Sequence, residues 1–160
     1  MKQKPLFTVD GETLTTTLMP PVRFVVEGFI PQGLHLLAGA SKIGKSWLAL
    51  WLCLQVAKGE KVWDFPSRRG DVLYLCLEDN YSRIQSRLLD ITDTAPGNLH
   101  FATASEKLRC GLEQQIQQFL AGHPHTVLVV IDTLQRVRGA GGDTNAYANG
   151  YRDLEAMKAL

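Results

Sequence analysis

Gly39-Ala40-Ser41-Lys42-Ile43-Gly44-Lys45-Ser46 is the stretch of this sequence whose residue types and spacing point most specifically to chemistry. It reads G-x-x-x-x-G-K-[ST], the pattern of a loop whose backbone N–H groups cradle phosphates. Gly39 and Gly44 permit positive φ and let the backbone approach an anion closely. Lys45 sets a point charge against the β/γ-phosphates, and the Ser46 hydroxyl suits a Mg²⁺ shell. Trp47 follows directly, either packing its helix or lying beside a nucleotide base. Lys42 adds a second cation that neutralises phosphate or is simply solvated. A chain of this composition shows the full pattern by chance at roughly the one-per-cent level. The expected nucleotide contacts are therefore Gly39, Ala40, Ser41, Lys42, Ile43, Gly44, Lys45, Ser46 and Trp47, with ATP and Mg²⁺ as cofactors.

Phosphate chemistry also needs carboxylates. Asp132 ends the apolar run Thr126-Val127-Leu128-Val129-Val130-Ile131, where an acidic residue holds the metal shell of a nucleotide site; a turn-capping Asp is the alternative. Hydrolysis further needs a group that orients and polarises water. Thr133 stands directly after Asp132, so no acid is available there. Glu78, at the tip of Val72-Leu73-Tyr74-Leu75-Cys76-Leu77, is the substitute; its alternative role is an acid favoured by the dipole of the following helix.

These groups must be held by strands and helices of an α/β fold. Leu34-His35-Leu36-Leu37-Ala38 reads as a short buried strand feeding the loop, with His35 a packed core histidine. Trp47 to Ala57 reads as the following helix, closed by Lys58-Gly59. Strand, loop and helix in that order add a helix N-terminus to the anion site. Arg23 to Val26 and Leu99 to Ala102 are further strand candidates, and Val72 to Leu77 suits a central parallel strand. Tyr81, Ile84, Leu88 and Ile91 recur at helical spacing behind Asp79 or Asn80 as cap; Leu112, Ile116, Phe119 and Leu120 mark another helix. Strands alternating with helices predict a mainly parallel sheet flanked by helices, with the ligand outside the carboxyl ends of the strands. Gln135 to Asn149 is polar and glycine-rich and reads as a mobile loop; a last helix begins near Ala146 and is still in phase at Leu160.

Gly39 to Ser46, Leu75-Cys76-Leu77-Glu78-Asp79 and Val129-Val130-Ile131-Asp132-Thr133-Leu134 together resemble the RecA/DnaB class of ATPases, and within it the RepA-type replicative helicases of plasmids and phages. The resemblance covers roughly residues 22–160. It implies a RecA-like core, a water-activating base at Glu78, a metal-holding acid at Asp132, and phosphate and metal contacts at Lys45 and Ser46. It also implies single-stranded DNA as partner, a homo-hexamer when full length, replication proteins nearby, and DNA contacts by Arg136 and Arg138 in the loop after Asp132. The family's later strand, with its polar sensor, and its arginine finger have no counterpart here. The resemblance thus implies a core truncated at its C-terminus, with a gap beside the Asp132 strand and weak turnover by these residues alone. A RecA-like recombination or regulatory ATPase, and a small-molecule kinase, are the alternatives.

Residues 1–21 are read as an N-terminal arm or hairpin, the latter turning at Asp10-Gly11, and 22–160 as the ATPase domain. The chain has 160 residues, enough for one domain with a real core. Its 17 basic and 16 acidic residues give a net charge of +1, so no global field marks it for nucleic acid or membrane. The widely spaced Cys53, Cys76 and Cys110 argue for free thiols in a reducing compartment over a disulfide framework or zinc site. His123 and His125 flank Pro124 with no third ligand near. Without a secretory signal or an apolar run near 18 residues, a cytoplasmic location is expected.

Overall fold

The computed structural model describes residues 6–138 and 153–158. A short helix α1 (Gly11–Thr16) precedes an antiparallel pair, β1 (Phe24–Val26) and β2 (Ile30–Pro31). Gly28 makes their turn at φ 67°, a value that favours glycine. Then follow α2 (Lys45–Lys58), β3 (Asp71–Cys76), α3 (Tyr81–Ile91), β4 (Leu99–Ala102), α4 (Leu112–Gly122), β5 (Thr126–Asp132) and α5 (Leu134–Val137). Residues 153–158 are helical.

The main sheet has the order β4-β3-β5 and is parallel throughout. Helices cover both faces of β3, which explains its unbroken apolar run. Because side chains alternate across a strand, Val72, Tyr74 and Cys76 join Leu50, Cys53, Leu54 and Ala57 of α2 in one core. Leu73 and Leu75 join Leu108, Leu112, Ile116 and Val137 in a second core on the opposite face. This is the expected α/β architecture of a parallel sheet between helices, with β3 central. Local signals end its helices as their sequences predict. Asn80 Oδ1 accepts from Arg83 N at 2.9 Å to open α3, and Gly59 closes α2 at φ 74°.

Four expectations are corrected. Leu34 to Ala38 does not form a buried strand: the segment has no ladder partner among the described residues, and Leu36 and Leu37 are 61% and 58% exposed. An apolar run becomes a strand only by pairing, and β5 pairs with β3 alone among the described strands. His35 accordingly lies outside the core, exposed, with Nε2 2.7 Å from the Pro31 carbonyl. Asp10-Gly11 does not turn a hairpin. The Asp10 side chain accepts from Thr13 N at 2.8 Å and caps α1, and residues 6–21 are exposed throughout. Finally, the stretch taken as a loop from Gln135 opens inside α5; the remainder of that loop, and the start of the last helix, lie outside the described residues.

Candidate nucleotide site

Gly44 caps α2 at φ 93°, and no side chain caps the first N–H groups of this helix among the described residues. Its N-terminal N–H groups are therefore available to an anion, reinforced by the dipole of a 14-residue helix. Lys45 Nζ folds back over the loop and donates to the carbonyls of Gly39 at 2.9 Å and Ala40 at 2.6 Å. Positive φ falls at Lys42 (63°) as well as Gly44, and not at Gly39. What Gly39 supplies is room: a Cβ there would lie 2.6 Å from Ile43 Cδ1. Residues 39–44 are exposed, Lys45 and Ser46 half-buried.

The carboxylates stand at the adjacent ends of β3 and β5. Register pairs Cys76 with Asp132, and Leu77 N extends the ladder to the Asp132 carbonyl at 2.8 Å. Beyond that rung Glu78 and Thr133 come side by side, with Thr133 Oγ1 donating to Glu78 Oε1 at 3.1 Å. Glu78 is half-exposed, and Arg136 Nε lies 3.7 Å from the same oxygen. Asp132 Oδ2 accepts from the Tyr74 hydroxyl at 2.9 Å, and that hydroxyl is also 3.3 Å from the Ser46 carbonyl. Tyr74 thus joins the Asp132 strand to the first turn of α2. Burial, then the charge of Asp132, push the Tyr74 phenol far above its ordinary value, so it stays a donor. The same two causes push the Cys76 thiol up to about 12, and burial raises Cys53 further still.

Asp79 is taken up by Arg83 at 3.1 Å and Arg87 at 2.5 Å. The Arg87 guanidinium in turn lies 5.6 Å from the centre of the Trp47 ring, which is 41% exposed. Trp47 therefore braces α2 against α3 and is not a core residue. The two arginines expected to face DNA occupy other contacts. Arg138 Nε binds Asp153 Oδ2 at 2.9 Å, and Arg109 binds the other oxygen of this buried carboxylate at 2.8 Å. Arg136 reaches toward Glu78.

Tyr74, Thr133 and Asp153 are the residues that reading the sequence missed. One signal existed for Tyr74: a phenol inside an otherwise aliphatic buried strand must find a polar partner. A Mg²⁺ ion fits the donors present. Ser46 and Asp132 offer hard oxygens, and Asp132 Oδ1 has no hydrogen-bond partner among the described residues. No group of three or more His, Cys, Asp or Glu is poised to hold a metal among the described residues. Mg²⁺ usually takes one or two carboxylates plus substrate phosphates, so here it would arrive with the nucleotide.

No curated protein matches the chain. Among the described residues, no helix is long and apolar enough to cross a membrane. A family model described as AAA domain matches residues 3–159, a span that takes in the phosphate loop, Glu78 and Asp132. The chain therefore belongs to the AAA domain family and carries its nucleotide-binding P-loop ATPase core.

Proposed function

We propose that this domain binds ATP with Mg²⁺ and hydrolyses it as a RecA/DnaB-like motor, working on single-stranded DNA in a homo-hexameric replicative helicase of RepA type. The observation that carries the hydrolytic part is the pairing of Cys76 with Asp132, which brings Glu78 and Asp132 to one edge of the sheet. Tyr74 connects that edge to Ser46.

In this reading the loop N–H groups and the N-terminus of α2 bind the phosphates, and Lys45 releases the Gly39 and Ala40 carbonyls to pair with them. Ser46 and Asp132 hold Mg²⁺, which supplies charge neutralisation on the phosphate oxygens. Glu78 orients a water and accepts its proton on a carboxylate oxygen, while Thr133 Oγ1 fixes the side chain from the neighbouring strand. Arg136 supplies a cation at the start of the segment that follows β5, where DNA phosphates would be met. The resemblance in Gly39–Ser46, Leu75–Asp79 and Val129–Leu134 supports the motor assignment. A RecA-like ATPase without unwinding uses the same residues.

The test is ATP turnover by the assembled protein with and without single-stranded DNA, alongside its mass in solution. Turnover stimulated severalfold by DNA in a hexamer is expected. Turnover indifferent to DNA would contradict the DNA motor and leave a regulatory ATPase. Phosphate transfer to a small molecule in place of water would contradict hydrolysis.

A further inference from the structure

The carboxylate expected to hold the cation does not stand alone at the end of its strand. Tyr74 lies on the central strand β3, on the face that packs against α2, and is 3% exposed. Its ring tilts against Phe101 at 6.2 Å, so only the hydroxyl is left for polar contact. That hydroxyl is 2.9 Å from Asp132 Oδ2 and 3.3 Å from the Ser46 carbonyl. The charged acceptor is also the nearer one, and bonds to ionised groups are the stronger kind. Asp132 therefore has one oxygen restrained and one, Oδ1, with no partner among the described residues.

We infer that Tyr74 is a positioning residue for the Mg²⁺–nucleotide complex: its hydroxyl fixes the rotation of the Asp132 carboxylate and its distance from Ser46, leaving Oδ1 for the cation. The inference rests on the nucleotide reading proposed above. Its physical basis is preorganisation. A carboxylate already restrained by a buried donor loses less freedom when it takes up an ion. The ring fills the core on either account, so the hydroxyl alone separates positioning from packing.

Tyr74→Phe removes that hydroxyl and keeps the ring. ATP affinity is measured by calorimetry in EDTA and across a Mg²⁺ series, for Tyr74→Phe, Asp132→Asn and the double variant. Positioning predicts unchanged affinity in EDTA and a Mg²⁺ half-saturation raised about tenfold, the scale of one lost charge-assisted bond. It also predicts that Tyr74→Phe adds nothing once Asp132 is Asn. A Mg²⁺ series identical to that of the parent protein would overturn the inference while leaving the nucleotide site intact. Parent protein that binds no ATP in either condition would overturn both. Should the variant not fold, the parent protein labelled with ¹³C at the tyrosine Cζ serves instead. Mg²⁺ added to the ADP-saturated protein should move the Tyr74 signal, and a signal that stays fixed would overturn the inference.

Discussion

The phosphate loop and the carboxylate edge of the candidate nucleotide site are held in opposite ways. From Gln32 to Gly44 every residue is exposed and none joins a strand. Its hydrogen bonds among the described residues include the Lys45 ammonium on the Gly39 and Ala40 carbonyls, Gln32 N on the Arg23 carbonyl and His35 Nε2 beside the Pro31 carbonyl. Across the site, Tyr74 and Cys76 are each 3% exposed, and Asp132 is fixed by a ladder rung and a buried phenol. The phosphate loop has little local packing, whereas Asp132 is tied to the buried central strand and Glu78 stands exposed at that strand's tip. Regions with few buried contacts open at low free energy. A ligand that touches both halves should therefore order the first and leave the second nearly unchanged.

The largest effect that can test this contrast is on turnover. Glu78→Gln keeps the shape of the carboxylate edge while removing its basicity. ATP binding should persist as hydrolysis by the assembled protein falls about a hundredfold or more. Equal turnover would reduce Glu78 to a surface acid beside Thr133. Next in size is the ordering itself. Hydrogen exchange at 34–44 should slow by about tenfold or more when Mg²⁺ and ATP are added, against little change in β3 and β5. Equal protection of both halves would erase the contrast.

Smaller effects sharpen the picture. Arg136→Ala should lower the salt slope of single-stranded DNA binding by about one unit, as loss of one phosphate contact does. It should also leave Glu78 without its neighbouring cation. Arg138 is a poorer probe of DNA, because removing it leaves buried Asp153 with Arg109 as its remaining described partner. The smallest effect concerns alkali. Cys76 is raised from 9.0 to about 12, so the unfolded chain loses its proton first as pH rises. Stability from this group is complete below about pH 9 and is lost as pH climbs toward 12. The unfolding midpoint should fall between pH 9 and 11, and Cys76→Ala should flatten that fall.

How much of this was legible in the sequence follows the same division. α2, β3, α3, β4, α4 and β5 were readable because apolar spacing and caps such as Asn80 and Gly59 are local signals. Asp132 and Glu78 were readable as acids at strand ends, and the phosphate loop as a pattern that needs no neighbour. Leu34 to Ala38 was misread because strand formation depends on a partner elsewhere in the chain. The contact of Tyr74 with Asp132 depends on the register of β3 and β5, which spans 58 residues and leaves no spacing to detect. Positive φ at Lys42 escaped notice for another reason. Glycine announces that conformation and lysine does not.

The central claim, that these two halves close on one Mg²⁺-bound nucleotide, is tested most directly by equilibrium binding of ATP to the parent protein and to Lys45→Ala. The account predicts saturable, Mg²⁺-enhanced binding to the parent. It predicts an affinity about a hundredfold weaker in the variant, the scale of losing a charged contact to phosphate. Equal affinity in the two proteins would contradict it.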